Sequence, residues 1–505
     1  MKLEKLLSQS EYTTTDDIES MEISAVASDT RTPIRGAIFV CLRGARTDTH
    51  TLAKKAEAGG AVAIVAEEAA MLPDDISIPV LRVENTRKTL AFLHSRFHGS
   101  PEKELTIIGV TGTNGKTSTA TLLYNILRSA GIHAALIGTA ECLYNDEIYT
   151  LPTQDSSSDR LLTMTTPDPD ILFPMLRIMK TAGITHVVME VSSHALHLEK
   201  VTPINFEIGI FTNLSPEHLD FHCDMKSYLE AKARLFSLCR TGIFNCDDPN
   251  AERIIRGATC EIVRTGAVWQ GDYRATDIEL RGTNGVQYSL IAPGIRLRIR
   301  TPLLGSFSVY NTLLALTAAI RLGVSPIACA SALSAPIRIP GRLERVFSGT
   351  DTDFSVFIDY AHTEMALRSL LCTVRAFCGN GERIVLIFGC GGDRDKSKRP
   401  KMGHTAEELA DLIIITSDNP RTEPLEAIIA DIQEGMVDPQ AHRVIPNRKQ
   451  AIETAIAEAQ HGDIILLVGK GHERYEITAE GILPFDERKI VLDALEKKKK
   501  GDTEK

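Results

Sequence analysis

The chain has 505 residues, of which 43% are hydrophobic and 24% charged, and it carries a net charge of −10. That length favours two to four domains, the composition is that of an ordinary globular protein, and the negative balance argues against a general nucleic-acid binder. No segment is apolar enough to span a bilayer, and the N-terminal Met-Lys-Leu-Glu-Lys-Leu-Leu-Ser-Gln-Ser has no apolar core of signal-peptide length. Ten cysteines lie scattered without a Cys-x-x-Cys pair. They fit reduced thiols in a cytoplasmic protein better than a disulfide frame or a zinc site.

The pattern divides the chain into three α/β blocks. In block 1–98, the run 36–42 and the run 61–66 read as buried strands around a helical stretch, 52–58. Block 99–337 opens with a β-rich run, Leu105 to Ile108, and a glycine-rich turn. A helix follows with Leu122, Leu123, Ile126 and Leu127 on one face. Strands expected at 134–137, 186–189 and 208–212 alternate with helices, which argues for a mostly parallel sheet. Two prolines and a glycine in 336–341 suggest a linker. Block 338–505 repeats the rhythm, with strands expected at 356–358, 384–388, 412–416 and 464–468. Each ends in a polar or glycine-rich loop, where open α/β sheets place ligands. The lysine run 497–500 reads as a solvated tail.

The most informative stretch is Gly109-Val110-Thr111-Gly112-Thr113-Asn114-Gly115-Lys116-Thr117-Ser118. The common phosphate loop needs a glycine five places before the Gly of its Gly-Lys-Thr, and Val110 stands there instead. The physical parts are nevertheless present. Gly112 and Gly115 permit a backbone whose N–H groups face anionic oxygens, and a helix N-terminus follows. Lys116 can reach the β- and γ-phosphates, and the Thr117 hydroxyl can ligate Mg²⁺. This implies binding of a nucleoside triphosphate, without saying what its phosphate is used for.

Further along, Met189-Glu190-Val191-Ser192-Ser193-His194 follows a strand. Glu190 there is either a second metal-binding acid or a first-turn acid beside a capping serine. His218, after the next strand, is a metal ligand or a structural histidine. Lys232 lies on an amphipathic pattern, 228–236, where a lysine is ordinarily a solvated-face residue. In the third block the loops Gly389 to Pro400, Ser417 to Arg421 and Gly469 to Glu473 combine Arg with Asp and Glu. An Arg fork suits a carboxylate and an acid suits an ammonium, so together these loops could grip a zwitterionic amino acid.

These segments resemble the Mur ligase family over nearly the whole chain. The resemblance rests on 111–117 with its shifted glycine spacing, Thr165-Thr166-Pro167, Glu190 to His194, Asp359-Tyr360-Ala361-His362-Thr363, Gly391 to Lys396, and Asp418-Asn419-Pro420-Arg421. It implies an N-terminal UDP-binding α/β domain (1–98), a central P-loop ATPase with a mostly parallel sheet (99–337) and a C-terminal Rossmann-like α/β domain for the amino acid (338–505). Within the family it is similar to ligases that add the third residue of the muramoyl peptide. In that reaction ATP activates the D-glutamate γ-carboxylate of UDP-N-acetylmuramoyl-L-alanyl-D-glutamate as an acyl phosphate, which the incoming amine attacks.

The resemblance also implies residue roles. Lys116, Glu190, His218 and Lys232 would be catalytic. Thr117, Glu190, His218 and Lys232 would serve Mg²⁺, with Lys232 carrying a CO₂-derived carbamate. Gly112, Thr113, Asn114, Gly115, Lys116, Thr117, Asn311, Arg342 and Asp359 would contact ATP. Thr30, Thr165, Thr166, Ser192 and Lys200 would hold the UDP-muramoyl peptide. Arg394, Asp418, Asn419, Pro420, Arg421, Gly469 and Glu473 would hold the amino acid. Arg421 favours meso-2,6-diaminopimelate, whose second carboxylate it can pair with, over L-lysine. The chain departs from the family pattern at Ser308 (usually Asn), Glu364 (usually Pro), Lys200 (commonly Arg) and Leu198 (Gln in some members). Small-molecule substrates, no nucleic-acid or membrane partner and a monomer in the cytoplasm are expected. The competing readings are an L-lysine-adding Mur ligase, a folylpolyglutamate synthase-like ligase, and a non-catalytic P-loop switch protein.

Overall fold

The computed structural model describes residues 1–7, 11–14, 16–18, 20–32, 34–44, 47–144, 147–148, 164–346, 353–379 and 381–503. In the N-terminal block, β1 (Ala25–Ala27), β2 (Ala37–Val40), β3 (Ala63–Glu67) and β4 (Val80–Val83) form a parallel sheet in the order β1-β2-β3-β4. Successive residues of β2 alternate between two cores. Ile38 and Val40 pack with Leu3, Leu6 and Leu90, while Phe39 and Cys41 pack with Ala53 and Ile64. Burial on both faces is why these strands read as continuous apolar runs.

The central strands are β5 (Thr106–Thr111), β6 (Ala134–Ile137), β7 (Cys142–Tyr144), β8 (Glu147–Ile148), β9 (His186–Glu190), β10 (Phe206–Phe211), β11 (Cys239–Asn245) and β12 (Glu261–Gly266). They continue into β13 (Tyr273–Leu280), β14 (Val286–Ala292) and β15 (Ile295–Thr301), giving one sheet in the order β15-β14-β13-β12-β11-β10-β5-β9-β6-β7-β8. From β6 through β12 the pairing is parallel, and β7 and β8 are antiparallel additions. β5 sits between β9 and β10, with Val110 opposite Glu190 and Thr111 opposite Phe211. Three strand ends therefore converge at one crevice, where an open α/β sheet binds ligands.

The C-terminal block contains β16 (Glu344–Arg345), β17 (Ser355–Asp359), β18 (Ile384–Phe388), β19 (Leu412–Ile415), β20 (Arg443–Val444) and β21 (Ile464–Val468). Their order is β16-β17-β21-β18-β19-β20, parallel except for β16. Side chains of β17, β18 and β21 alternate between two cores, Phe357, Leu386 and Leu466 on one face and Val356, Ile387 and Ile465 on the other. A hairpin, β22 (Tyr475–Thr478) and β23 (Gly481–Pro484), follows.

The chain divides into two compact units, one of 1–274, 290–296 and 310–332, the other of 275–289, 297–309 and 333–505. The expected boundary at 98/99 falls inside the first unit, although the two sheets on either side are separate. Arg177, on the helix Pro169–Thr181, explains this. Its Nε donates to the His98 carbonyl (2.8 Å) and its Nη2 to the Gly99 carbonyl (2.7 Å), tying the end of the first block to the second. The lysine run also differs from a free tail. It continues the helix Glu487–Thr503, with Lys497 paired to Glu453 at 3.0 Å and Lys498 Nζ donating to the Ala459 carbonyl at 2.8 Å.

Arg448 is a buried cation that supports the third block's loops. It is fully buried, and its Nε pairs with Glu487 at 2.6 Å. Its Nη1 and Nη2 donate to the carbonyls of Ser417 (2.9 Å) and Val468 (3.0 Å), beside the C-terminal ends of β19 and β21. Replacing Arg448 by Met strands the Glu487 carboxylate in the interior. We expect a loss of about 3–5 kcal/mol, measured as a lower denaturation midpoint for the transition that includes residues 333–505.

Candidate active site

In the first unit, backbone geometry shapes the phosphate loop. Gly112 has φ +149°, and a Cβ there would lie 1.8 Å from Thr212 Oγ1. Gly115 has φ +83°, and its Cβ would lie 2.5 Å from Asn311 Oδ1. Only glycine allows both the conformation and the approach. The loop is held from β10's end. Asn114 N–H donates to Asn213 Oδ1 (2.9 Å), Asn213 Nδ2 donates to the Asn114 carbonyl (3.0 Å), and Thr212 Oγ1 donates to the same carbonyl (2.6 Å). Thr212 and Asn213 thus belong to the site although sequence reasoning gave them no role. Their signal was position alone, at the end of a strand beside β5. The helix Lys116–Ser129 then starts with its N-terminus at the loop, and Thr119 Oγ1 donates to Asn311 Oδ1 at 3.4 Å.

Three strand ends bring the reactive side chains together. Glu190, 1% exposed, accepts from Thr117 Oγ1 (3.1 Å), Thr139 N–H (2.8 Å) and Thr139 Oγ1 (3.1 Å). Ser192 caps the short helix Ser193–His197, accepting from Ala195 N–H at 3.1 Å. The capping and metal readings of this segment are therefore compatible, because Ser192 takes the cap and Glu190 faces the loop. Thr166 Oγ1 donates to the Glu190 carbonyl (2.9 Å) and accepts from Ser192 N–H (3.0 Å). Thr139 Oγ1 and Thr165 Oγ1 lie within hydrogen-bond distance, at 3.1 Å.

Lys232 departs from the solvated-face expectation, because it is 1% exposed. The helix Met225–Ala233 turns that residue inward, where its Nζ donates to the Gly112 carbonyl (2.7 Å) and lies 4.4 Å from the Tyr228 ring. Lys116 Nζ donates to the same carbonyl (3.0 Å) and to that of Thr113 (2.8 Å). Burial, and secondarily the charge of Lys116, hold Lys232 well below the usual ammonium range. His218 sits at φ +56° with its ring 4.8 Å from that of His194, and burial lowers its pKa too. A cavity of about 230 Å³ joins Lys116, Thr165, Thr166, Ser192, Lys200, His218 and Lys232. Lys200 there pairs with Asp168 at 2.6 Å. Thr30 does not line this cavity; it lies half-buried in the turn after β1.

Among the described residues no group of three or more His, Cys, Asp or Glu could hold a metal. The donors here are a hydroxyl and a carboxylate beside a phosphate loop. That set suits Mg²⁺, which takes oxygen ligands and relies on substrate phosphates for several of them.

The second unit carries two further groups. Asp359 accepts from Leu343 N–H (2.7 Å) and Ala361 N–H (2.8 Å), and burial raises its pKa against the lowering charge of Arg342. The Arg342 guanidinium lies 4.9 Å from the Tyr360 ring, whose other neighbours are His362 and His472. Around the end of β19, Asp418 and Asn419 are buried, and Arg421 adopts φ +54°. Arg421 Nη1 donates to the carbonyls of Gly392 (2.8 Å) and Asn419 (3.3 Å). A Cβ on Gly391 would lie 2.9 Å from Arg421 Nη1 and 3.8 Å from Arg394 Cγ, so the two arginines flank one spot. Asn419 Nδ2 donates to Glu473 Oε2 at 2.7 Å, and a Cβ on Gly469 would meet Asp418 Oδ2 at 2.3 Å. Burial first, then Asp418, raises the pKa of Glu473. Pro420 follows Asn419 in the same loop. Arginines and carboxylates thus gather where the loops after β18, β19 and β21 approach one another. Lys470, fully buried beside them, lies in the loop Gly469 to Glu473 and carried no expected role.

The family profile for the Mur ligase middle domain matches residues 110–319, and that for the Mur ligase glutamate ligase domain matches 341–471. A UDP-N-acetylmuramoyl-L-alanyl-D-glutamate–2,6-diaminopimelate ligase of Syntrophomonas wolfei is 38% identical over 99% of this chain and 100% of its own. One from Chlorobium phaeobacteroides is 40% identical over 96% of this chain and 94% of its own. A solved structure with the same description superposes with a TM-score of 0.70 at 29% identity, covering 99% of each chain.

Replacing Gly112 by Ala tests the loop geometry. The added methyl group collides with Thr212 Oγ1 in a backbone conformation that alanine avoids. Nucleotide affinity measured by calorimetry should fall by about two orders of magnitude, the ~3 kcal/mol such strain represents.

Proposed function

The chain belongs to the Mur ligase family, and we propose that it is the ATP-dependent ligase that joins meso-2,6-diaminopimelate to UDP-N-acetylmuramoyl-L-alanyl-D-glutamate. The reaction belongs to the synthesis of a peptidoglycan precursor, which we place in the cytoplasm with its ATP and nucleotide-sugar substrates. The observation that carries this reading is the environment of Lys232. A lysine drawn into the interior against the Gly112 carbonyl of a phosphate loop serves no purpose in a nucleotide switch, but supplies a modifiable ligand to a ligase. Similarity over the full length, residues 1–98 included, also favours this enzyme over a folylpolyglutamate synthase, which lacks the UDP-binding domain.

The chemistry follows from the groups present. A carboxylate is a poor electrophile at neutral pH, and phosphorylation gives it a leaving group. The γ-carboxylate of the D-glutamate attacks the γ-phosphorus of ATP and ADP departs, leaving an acyl phosphate. The diaminopimelate amine then attacks the acyl carbon and loses its proton, and the tetrahedral adduct collapses to amide and phosphate. Lys116 and the N–H groups of 112–117 neutralise charge on the transferring phosphoryl group. Mg²⁺, which Thr117, Glu190 and His218 would serve, would add Lewis acidity. Lys232, whose charged form burial disfavours, can add to CO₂ as the amine and lose a proton. The resulting carbamate presents a carboxylate-like ligand where the unmodified side chain presents an ammonium.

Binding roles divide between the units. Thr165, Thr166, Ser192 and Lys200 line the cavity beside Lys116 and would hold the muramoyl peptide, with Thr30 serving its UDP end. In the first unit, Asn114 and Asn311 would contact the nucleotide. In the second unit, Arg394 and Arg421 would take carboxylates of diaminopimelate, and Asp418 and Glu473 its ammonium. Lysine has no second carboxylate and would face a guanidinium with its ε-ammonium.

Purified protein should release phosphate from ATP only with both the UDP-muramoyl dipeptide and diaminopimelate present, and L-lysine in its place should not support release. Arg421→Ala should raise the diaminopimelate KM about tenfold or more, the value of a charge-assisted fork, and leave the ATP KM near that of the wild type. Phosphate release with lysine but not diaminopimelate would overturn the substrate assignment. Lys232→Ala should lose most of its turnover and regain it with millimolar formate or acetate; failure to recover at any concentration counts against the carbamate.

A further inference from the structure

We propose that Lys470 is a positioning residue for the amino-acid site. By holding Asn419 Oδ1 it fixes that amide, so that Nδ2 aims Glu473 at the ammonium of the incoming amino acid. This rests on the assignment of that site above and goes beyond it, because Lys470 touches no substrate.

Lys470 is fully buried, and a buried ammonium must spend its donors on partners. Its Nζ donates to Asn419 Oδ1 (2.9 Å) and to the Tyr475 carbonyl (2.8 Å), and stands 3.9 Å from Glu473 Oε2. The Phe485 ring lies 5.6 Å away. These partners belong to the loop after β19, the loop after β21 and the hairpin β22–β23. Two of them, Asn419 and Glu473, are bonded to each other.

The two ends of an asparagine amide have nearly the same shape, so its orientation is set by what faces it. An ammonium has three donors and no acceptor, and the Ile477 N–H, which also donates to Asn419 Oδ1 at 2.9 Å, has none either. The atom facing both must be the oxygen. That leaves Nδ2 to donate to Glu473 Oε2 at 2.7 Å. A flipped amide would set its NH₂ against an ammonium and its carbonyl against a carboxylate, losing all three bonds. Lys470 and the Ile477 N–H together set which way Asn419 points, and Asn419 in turn holds Glu473.

Charge acts in the same direction. Burial and the neighbouring Asp418 push the Glu473 carboxyl up, and Lys470 is foremost among the groups that oppose them. Lys470 thus pulls the Glu473 carboxyl back down, although burial also lowers the pKa of Lys470 itself. The hairpin is part of the same clamp. Arg421 N–H donates to the Ile477 carbonyl at 3.0 Å, so the strand that Lys470 grips through Tyr475 also seats the backbone of Arg421.

The test compares Lys470→Met, Asn419→Ala, the double variant and Asn419→Asp, using whichever amino acid supports phosphate release by the wild type. Lys470→Met should raise the amino-acid KM about tenfold or more, the loss of a hydrogen bond to a charged group, with the KM for ATP and for the UDP substrate within about twofold. In the Asn419→Ala background it should add little, since it acts through that residue. Asn419→Asp keeps an acceptor for Lys470 but replaces the donor facing Glu473, and should show the same selective rise if Lys470→Met fails to fold. A uniform rise in all three KM values, additive losses in the double variant, or a wild-type amino-acid KM in Asn419→Asp would each overturn the proposal. A wild type that uses another amino acid in place of diaminopimelate refutes the substrate assignment alone. If the wild type shows no turnover, amino-acid binding by calorimetry reads the same shifts, and no binding at all overturns both.

Discussion

The carbonyl of Gly112 is the point on which the nucleotide half of this protein depends. Lys116 and Lys232 both donate to it, at 3.0 and 2.7 Å. They can do so only because the backbone at Gly112 takes a φ of +149° with Thr212 Oγ1 pressed against it. A side chain there would displace either the loop or the end of β10. Two lysines meeting at one carbonyl repel each other, and that repulsion adds to burial in discouraging the charged form of Lys232. One residue without a side chain thus sets the path of the phosphate loop and anchors a lysine 120 positions away.

The third block solves its positioning problem differently. Its ligand-facing loops end parallel strands buried on both faces, and their backbone carbonyls cannot turn to water. Fully buried cations take them instead. Arg448 holds the carbonyls of Ser417 and Val468, and Lys470 holds that of Tyr475. A buried cation is costly unless every donor is used, so each one ties several chain segments into a single arrangement. The acids that would meet substrate, Asp418 and Glu473, are stationed in front of this internal scaffold.

Much of this was legible in the sequence. Strands buried on both faces announced themselves as apolar runs, and the expected segments at 134–137, 384–388 and 464–468 coincide with β6, β18 and β21. The glycine spacing, Gly-Lys-Thr at a helix entry and Glu190 at a strand end all carry local signals, because their conformational needs restrict the residues allowed. Thr212, Asn213 and Lys470 carried none. Their importance comes from neighbours distant in sequence, and their residue types are common in loops and strand ends.

The sequence by itself therefore determined the α/β class, the phosphate loop and the family, since each rests on short-range periodicity or on motifs whose spacing is intrinsic to the chain. Only the tertiary structure decided which residues share a site and in what state. It placed β5 between β9 and β10, so that Thr117 meets Glu190, and it brought Lys232 to the Gly112 carbonyl. It tied the end of the first block to the second through Arg177, and drew the lysine run at 497 onto a helix. Most plainly, it turned Lys232 inward. A helical pattern shows which residues share a face, but not which face the rest of the molecule will cover. That depends on long-range packing, and it separates a solvated lysine from a buried one.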